Sequence, residues 1–201
     1  SYGEEQLNAG DLLIEGDTLE NILDRKLKAS GNAILKKNGK TIKADLIEYD
    51  QVSDELYAIG DVSIESSGGS LTGSSLELSV NENIGVIPNA SFSSTLGNPS
   101  NSFNNTLRGK AKVLFIEGEN KKRLQNASIT TCEVGKDDWF IKASEIEVND
   151  SSKTVEAKNA KLEFKGIPIL YSPLVNFSFN DDRKSGFLAP SIGTTSRSGF
   201  E

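Results

Sequence analysis

Apolar and polar residues alternate with a period of two through most of the chain. Leu27, Ala29, Gly31, Ala33 and Leu35 fall on one face, while Lys28, Ser30, Asn32 and Lys36 fall on the other, which is the signature of a half-buried strand. The alternation returns at Leu56, Ala58, Gly60, Val62 and Ile64, and turn residues at Lys37-Asn38-Gly39 and Ser67-Gly68-Gly69 separate the runs. Short strands with turns at regular spacing predict an all-β sandwich, jellyroll or solenoid. Only Asp17 to Lys28 competes as a helix, with Asp17 or Thr18 as cap and Leu19, Ile22, Leu23 and Leu27 at helical spacing. It runs directly into the first alternating strand, which favours the extended reading.

The strand pattern repeats. Leu27-Lys-Ala29-Ser-Gly31-Asn32-Ala33 matches Leu56-Tyr-Ala58-Ile-Gly60-Asp61-Val62 at an offset of 29, and the same offset aligns Ile42, Ala44, Ile47 and Glu48 with Leu71, Gly73, Leu76 and Glu77. At an offset of 99, Ile42-Lys43-Ala44 and Ile47-Glu48 return as Ile141-Lys142-Ala143 and Ile146-Glu147. Units of this size bury an apolar face only against their neighbours, so a stack with one continuous inner strip is expected. Recurrent Ala and Gly on that strip leave two readings open: a thin, tightly packed sandwich, or an interior with room for an acyl chain. Between Asn89 and Gly109 the chain turns to Ser and Asn, which reads as a long connection or a loosely paired edge. From Gly166 onward Pro168, Pro173 and Pro190 break a stretch rich in aromatic residues, and a boundary is expected near Ser172, dividing 1–172 from 173–201.

Composition narrows the function. The 201 residues are 36% hydrophobic with no Met and one Trp, which suits sheets with one wet face better than a thick helical core. Twenty-two basic against 29 acidic residues give a net charge of −7, and the scattered basic residues argue against a nucleic-acid surface. No apolar run approaches the length of a spanning helix, and no basic-then-apolar leader opens the sequence, which therefore reads as a mature or trimmed product without a helical anchor.

His is absent and Cys occurs once, at Cys132. That excludes thiolate and imidazole metal clusters, Cys–His pairs and the Ser–His–Asp triad, so no metal or other cofactor is expected. The acid pairs Asp137-Asp138 and Asp181-Asp182 read as solvated turns, because adjacent strand residues point to opposite faces. No enzyme is expected. Cys132 fits either a buried spectator thiol or a thiol whose partner lies in sequence not present here. Arg183-Lys184 suits a lipid phosphate or an ordinary salt-bridged linker.

The series Ala29-x-Gly31-Asn32-Ala33, Gly39-x-x-Ile42-x-Ala44-Asp45, Tyr49-Asp50 and Ala58-x-Gly60-Asp61-Val62 resembles the OstA-type repeat of periplasmic lipopolysaccharide-transport proteins. Asn126 to Cys132, Trp139 with Ala143, Gly166 to Pro173 and Asp182 to Pro190 follow in the order seen in the LptD family. The resemblance implies an open, OstA-type β-jellyroll that leads into a transmembrane β-barrel. It implies lipopolysaccharide transport and assembly at the outer membrane, with this part on the periplasmic side. The implied partners are lipopolysaccharide, the bridge protein LptA by strand addition, and the lipoprotein LptE through a barrel not present in the chain.

For Cys132 the resemblance implies a disulfide to the barrel. For Pro190 it implies a first barrel strand bordering a lateral gate, where a residue that cannot donate a ladder hydrogen bond weakens the seam; a simple turn proline is the alternative. Alternation assigns Ala29, Ala33, Leu35, Ile42, Ala44, Leu56, Ala58, Val62, Ile64, Val113, Phe115, Ile141, Ala143 and Ile146 to a lipid-binding groove. Slippage by one residue would turn any strand to its other face. Rival readings are the soluble bridge protein itself and a structural β-solenoid or adhesin module with a dry interior.

Overall fold

The structure, a computed structural model, describes residues 5–9, 11–67, 69–95 and 106–178. These form strands β1 (Glu5–Ala9), β2 (Leu12–Gly16), β3 (Thr18–Ile22), β4 (Lys26–Lys37), β5 (Lys40–Asp50), β6 (Glu55–Ser66), β7 (Gly69–Ser79), β8 (Ile84–Thr95), β9 (Thr106–Glu117), β10 (Lys121–Thr130), β11 (Trp139–Asn149), β12 (Thr154–Phe164) and β13 (Ile167–Ser178). One antiparallel sheet runs from β1 to β13 in chain order, with β3 set off the path against β4. The segment with helical spacing is extended: Leu19 pairs with Ala29 and Ile22 with Lys26. Together β2 and β3 act as one strand broken at Asp17, since β2 pairs with 34–36 and β3 with 26–30 of β4.

Every long strand is interrupted near its middle. In β4 and β6 the break is the pair Gly31-Asn32 and Gly60-Asp61, all four with positive φ, and the register shifts there. In β8, β10 and β12 it is a single left-handed Asn: Asn89, Asn126 and Asn159. Gly, Asn and Asp are the residues that adopt this conformation at least cost, and a bulge bends its strand and sharpens the twist. Asp17 completes the first break, its N–H donating to Gly31 O at 2.8 Å and its carboxylate accepting from Asn32 Nδ2 at 3.1 Å. The recurrence at an offset of 29 is thus one hairpin of the stack, with a bulge in the same place each time.

The bulges line up into a crease across which the sheet folds on itself. Lys37 and Tyr49 lie at opposite ends of the β4–β5 hairpin, because Lys37 pairs with Lys40 and Tyr49 with Leu27. At about 3.3 Å per residue, a flat hairpin would hold them more than 25 Å apart. Lys37 Nζ instead lies 2.8 Å from Tyr49 Oη. The turns therefore fall on two rims that approach each other, one carrying 37–40, 66–69, 131–138 and 164–167, the other 50–55, 79–84, 117–121 and 149–154.

The Ser- and Asn-rich stretch flanks a regular hairpin, with Ala90 opposite Ala111 and Thr95 opposite Thr106. The position near Ser172 falls inside β13, whose ladder with β12 continues to Ser178. Pro168 and Pro173 are tolerated because, among the described residues, β13 borders only β12.

Candidate functional site

The inner faces of the two halves make one apolar interior. Ala29, Ala33, Leu35, Ile42, Ala44, Leu56, Ala58, Val62, Ile64, Ala143 and Ile146 are all buried in it, and Ile141 packs against it half-buried. Small residues concentrate at the crease, where Ala90, Ala111, Ala127 and Ala143 stand directly opposite one another across β8 to β11. A Cβ on Gly73 of β7 would lie 2.2 Å from Ile87 Cγ2. The larger side chains, among them Leu27, Ile47, Leu76, Leu114, Leu124 and Ile129, stand away from the crease and are fully buried. The small residues thus mark where backbones come close, rather than keeping space open, and the interior is filled by the chain's own side chains.

Val113 and Phe115 are not part of it. The break in β9 changes the phase of alternation, so Ala111 is followed inward by Leu114 and Ile116. Val113 and Phe115 lie outside, half-buried, with the Arg123 guanidinium 4.3 Å from the centre of the Phe115 ring. The outer face of β9 to β12 is otherwise ionic: Arg123 pairs with Glu117 at 2.5 Å, Lys158 with Glu145 at 3.0 Å and Lys142 with Glu163 at 2.8 Å. Exposed pairs of this kind keep a face wet more than they stabilise it.

Along its length the interior changes character. Near β2 it is closed, with Ile14 fully buried. At β13 the apolar side chains are more exposed: Leu170, opposite the half-buried Leu162, is 48% exposed, while Val175 and Phe177 pack against the interior.

The two rims are joined at the β4–β5 turn. Lys37 Nζ donates to Tyr49 Oη at 2.8 Å and to Asp54 Oδ1 at 3.1 Å, and Tyr49 Oη donates to Asp54 Oδ1 at 2.6 Å. Asn81 N–H donates to the other Asp54 oxygen at 2.6 Å. Further along, Asn38 Nδ2 approaches Asn81 Oδ1 at 3.5 Å and Lys40 pairs with Glu119 at 3.3 Å. Burial pushes the Asp54 carboxyl up, but the bonds from Tyr49, Asn81 and Lys37 outweigh it and hold the group below its ordinary value.

Cys132 is a half-buried free thiol in the 131–138 segment. Arg108 of β9 fastens that segment, donating to Cys132 O at 2.7 Å and Glu133 O at 3.1 Å and pairing with Asp137. Asp137 is therefore an ion-pair partner, and Asp138 accepts Lys165 N–H on its main-chain oxygen at 2.6 Å. Burial pushes the thiol up, while the Thr130 hydroxyl and the N–H groups of Trp139 and Asp138 bring it below its usual value. Asp181, Asp182, Arg183, Lys184 and Pro190 lie outside the described residues.

No protein-family model matches the chain. Curated relatives do. The LPS-assembly protein LptD of Nitrosomonas europaea is 35% identical over 190 residues, 94% of this chain and 25% of the relative. That of Nitrosospira multiformis is 40% identical over 176 residues, 88% of this chain and 18% of the relative. That of Idiomarina loihiensis is 30% identical over 197 residues, 98% of this chain and 25% of the relative.

The chain belongs to the LptD family.

It spans about a quarter of the length of the LptD relatives. Among solved structures it is similar to LptH of Pseudomonas aeruginosa, described as the LptA-homologous periplasmic component of a lipopolysaccharide transport device. The TM-score is 0.51 at 13% identity, over 63% of this chain and 94% of that one. The likeness is one of fold, and it agrees with the all-β, OstA-type open jellyroll expected from the repeat. In this LptD-family chain, alternation located the interior on β4, β5, β6 and β11 but missed Leu114, Ile116, Leu124 and Ile129 on β9 and β10. The signal that could have found them is Asn126, the lone Asn breaking an otherwise alternating run. Nothing in the pattern pointed to the Lys37, Tyr49 and Asp54 contact, whose members face each other only after the sheet folds.

Proposed function

We propose that the chain takes part in lipopolysaccharide transport and assembly at the outer membrane, holding acyl chains between the two halves of its sheet while the sugar and phosphate parts stay in water. The observation that carries this reading is the continuous apolar strip from Ile14 to Leu170, fully buried at β2 and half-exposed at β13. Each methylene moved out of water is worth about 0.8 kcal/mol, so a few acyl chains compensate for displacing the self-packed interior. A strip repeated from hairpin to hairpin offers similar affinity at each step, which movement along it requires.

The finer features follow as parts of the same proposal. The module lies on the periplasmic side of the outer membrane, beside a barrel that associates with an LptE-type lipoprotein. β1, which borders only β2 among the described residues, offers its edge for strand addition by an LptA-type bridge. Cys132 forms a disulfide with the barrel. No residue is assigned a catalytic role.

The test compares binding of intact and de-acylated lipopolysaccharide to the protein in detergent-free buffer. Binding is expected to need the acyl chains. Equal binding of the de-acylated form would place the contact on the sugars and defeat the reading.

A further inference from the structure

We propose that the β4–β5 turn is a clasp across the seam of the folded sheet, and that its release admits lipid into the interior from the side. The inference rests on the lipid reading above for its cargo, but the clasp itself stands on geometry. The turn carries Lys36, Lys37 and Lys40, and the rim it meets carries Asp50, Asp54, Glu82 and Glu119. One turn thereby reaches three turns of the opposite rim in order: Lys37 meets Asp54, Asn38 meets Asn81, and Lys40 meets Glu119.

The contacts grade from firm to loose. Lys37 and Asp54 are 17% and 18% exposed, and Tyr49 beneath them is buried. At the far end Glu119 is 67% exposed, so that contact is the first to part. The interior beneath holds fully buried side chains, Leu35, Ile42, Leu56 and Leu76 among them. An acyl chain cannot reach Ile42 from the side while the halves are closed, because a packed core leaves no voids of that size. Rigid halves hinged on an alanine crease would part at the rims, where, among the described residues, these polar contacts link one rim to the other.

The test uses the intact protein with Cys132→Ser, spin labels at Asn38 and Glu82, and a photo-crosslinking residue at Ile42. Lys40→Gln with Glu119→Gln loosens the exposed end without touching the buried one, and Asp54→Asn releases the other. Salt at about 1 M, where the screening length falls to about 3 Å, weakens the ionic contacts without any substitution. The expected result is a short, narrow inter-label distance that lengthens and broadens in each case. Capture of lipopolysaccharide at Ile42 should then rise about tenfold, as a loss of about 1.4 kcal/mol of closure would give. A bismaleimide bridge between Cys residues at positions 40 and 119 should reduce capture to background.

An inter-label distance unchanged by all three perturbations would overturn the clasp. A distance that lengthens with no capture in any state would leave the clasp standing as a mechanical contact, defeat the lipid reading and overturn lateral admission with it. Capture undiminished by the bridge would show that lipid enters only along the strip, and would also overturn it.

Discussion

Gly73→Ala tests whether the small residues are a steric requirement of the crease. An Ala in mid-strand normally stabilises by about 0.5–1 kcal/mol relative to Gly, because the unfolded chain has less freedom to lose. Here the added Cβ would lie 2.2 Å from Ile87 Cγ2 and 3.0 Å from Pro88 O, the first more than an ångström inside ordinary contact. Ile87 is fully buried and cannot swing away. Overpacking of this kind costs about 1–3 kcal/mol, so the net expectation is a loss of about 1–2 kcal/mol, opposite in sign to the ordinary effect. Urea unfolding followed by tryptophan fluorescence and circular dichroism measures it. Ile87→Ala alone should cost about 2–5 kcal/mol. In the Gly73→Ala background the cost should be about 1–2 kcal/mol smaller, because the new methyl fills vacated space. A Gly73→Ala protein more stable than the parent would refute the packed crease.

Three further outcomes are expected. Leu114→Ala should cost about 2–5 kcal/mol and Val113→Ala under about 1 kcal/mol in the same unfolding assay, since only the first empties the core; similar costs would contradict the phase change in β9. The Asp54 carboxyl titrates below its ordinary value in the folded protein, so its stabilisation is complete above the usual carboxylate range near pH 4 and is lost as pH falls through the lowered value. The stability gap between the parent and Asp54→Asn, followed by urea midpoints, should therefore be constant from neutral pH to about pH 5 and close below about pH 4. Thr130→Val should raise the Cys132 thiol pKa, read as a shift of the alkylation rate profile to higher pH, because the hydroxyl that favours the thiolate is gone; an unmoved profile would refute that hydrogen bond.

Much of this fold was legible in the sequence, and the part that was not has a physical cause. Alternation on β4 and β6 keeps the same parity across the bulge, since each Gly-Asn or Gly-Asp pair stands against a single residue of the neighbouring strand and the one extra residue offsets the change of phase at the crease. Leu27, Ala29, Ala33 and Leu35 therefore read correctly as one face. On β9 the inward phase changes at Lys112 without any change of register against β8 or β10, so counting by twos from either end gives contradictory faces, and Val113 and Phe115 are assigned inward. Their apolar character is real but serves the outside, where the Phe115 ring lies under Arg123. The strand at Thr18–Ile22 was ambiguous because Leu19, Ile22 and Leu23 fit either period; pairing with β4, a tertiary fact, decides it. The clasp was invisible because Lys37, Tyr49 and Asp54 read separately as a turn lysine, a strand aromatic and a turn acid.

The most direct test of a lipid-holding interior uses neighbouring residues of β9 that face opposite ways. Photo-crosslinking residues placed singly at Leu114 and Ile116, and at Val113 and Phe115, would be exposed to light in cells assembling lipopolysaccharide. Capture is expected at the first pair and not at the second. Equal capture at both pairs, or capture confined to Val113 and Phe115, would contradict an interior pathway.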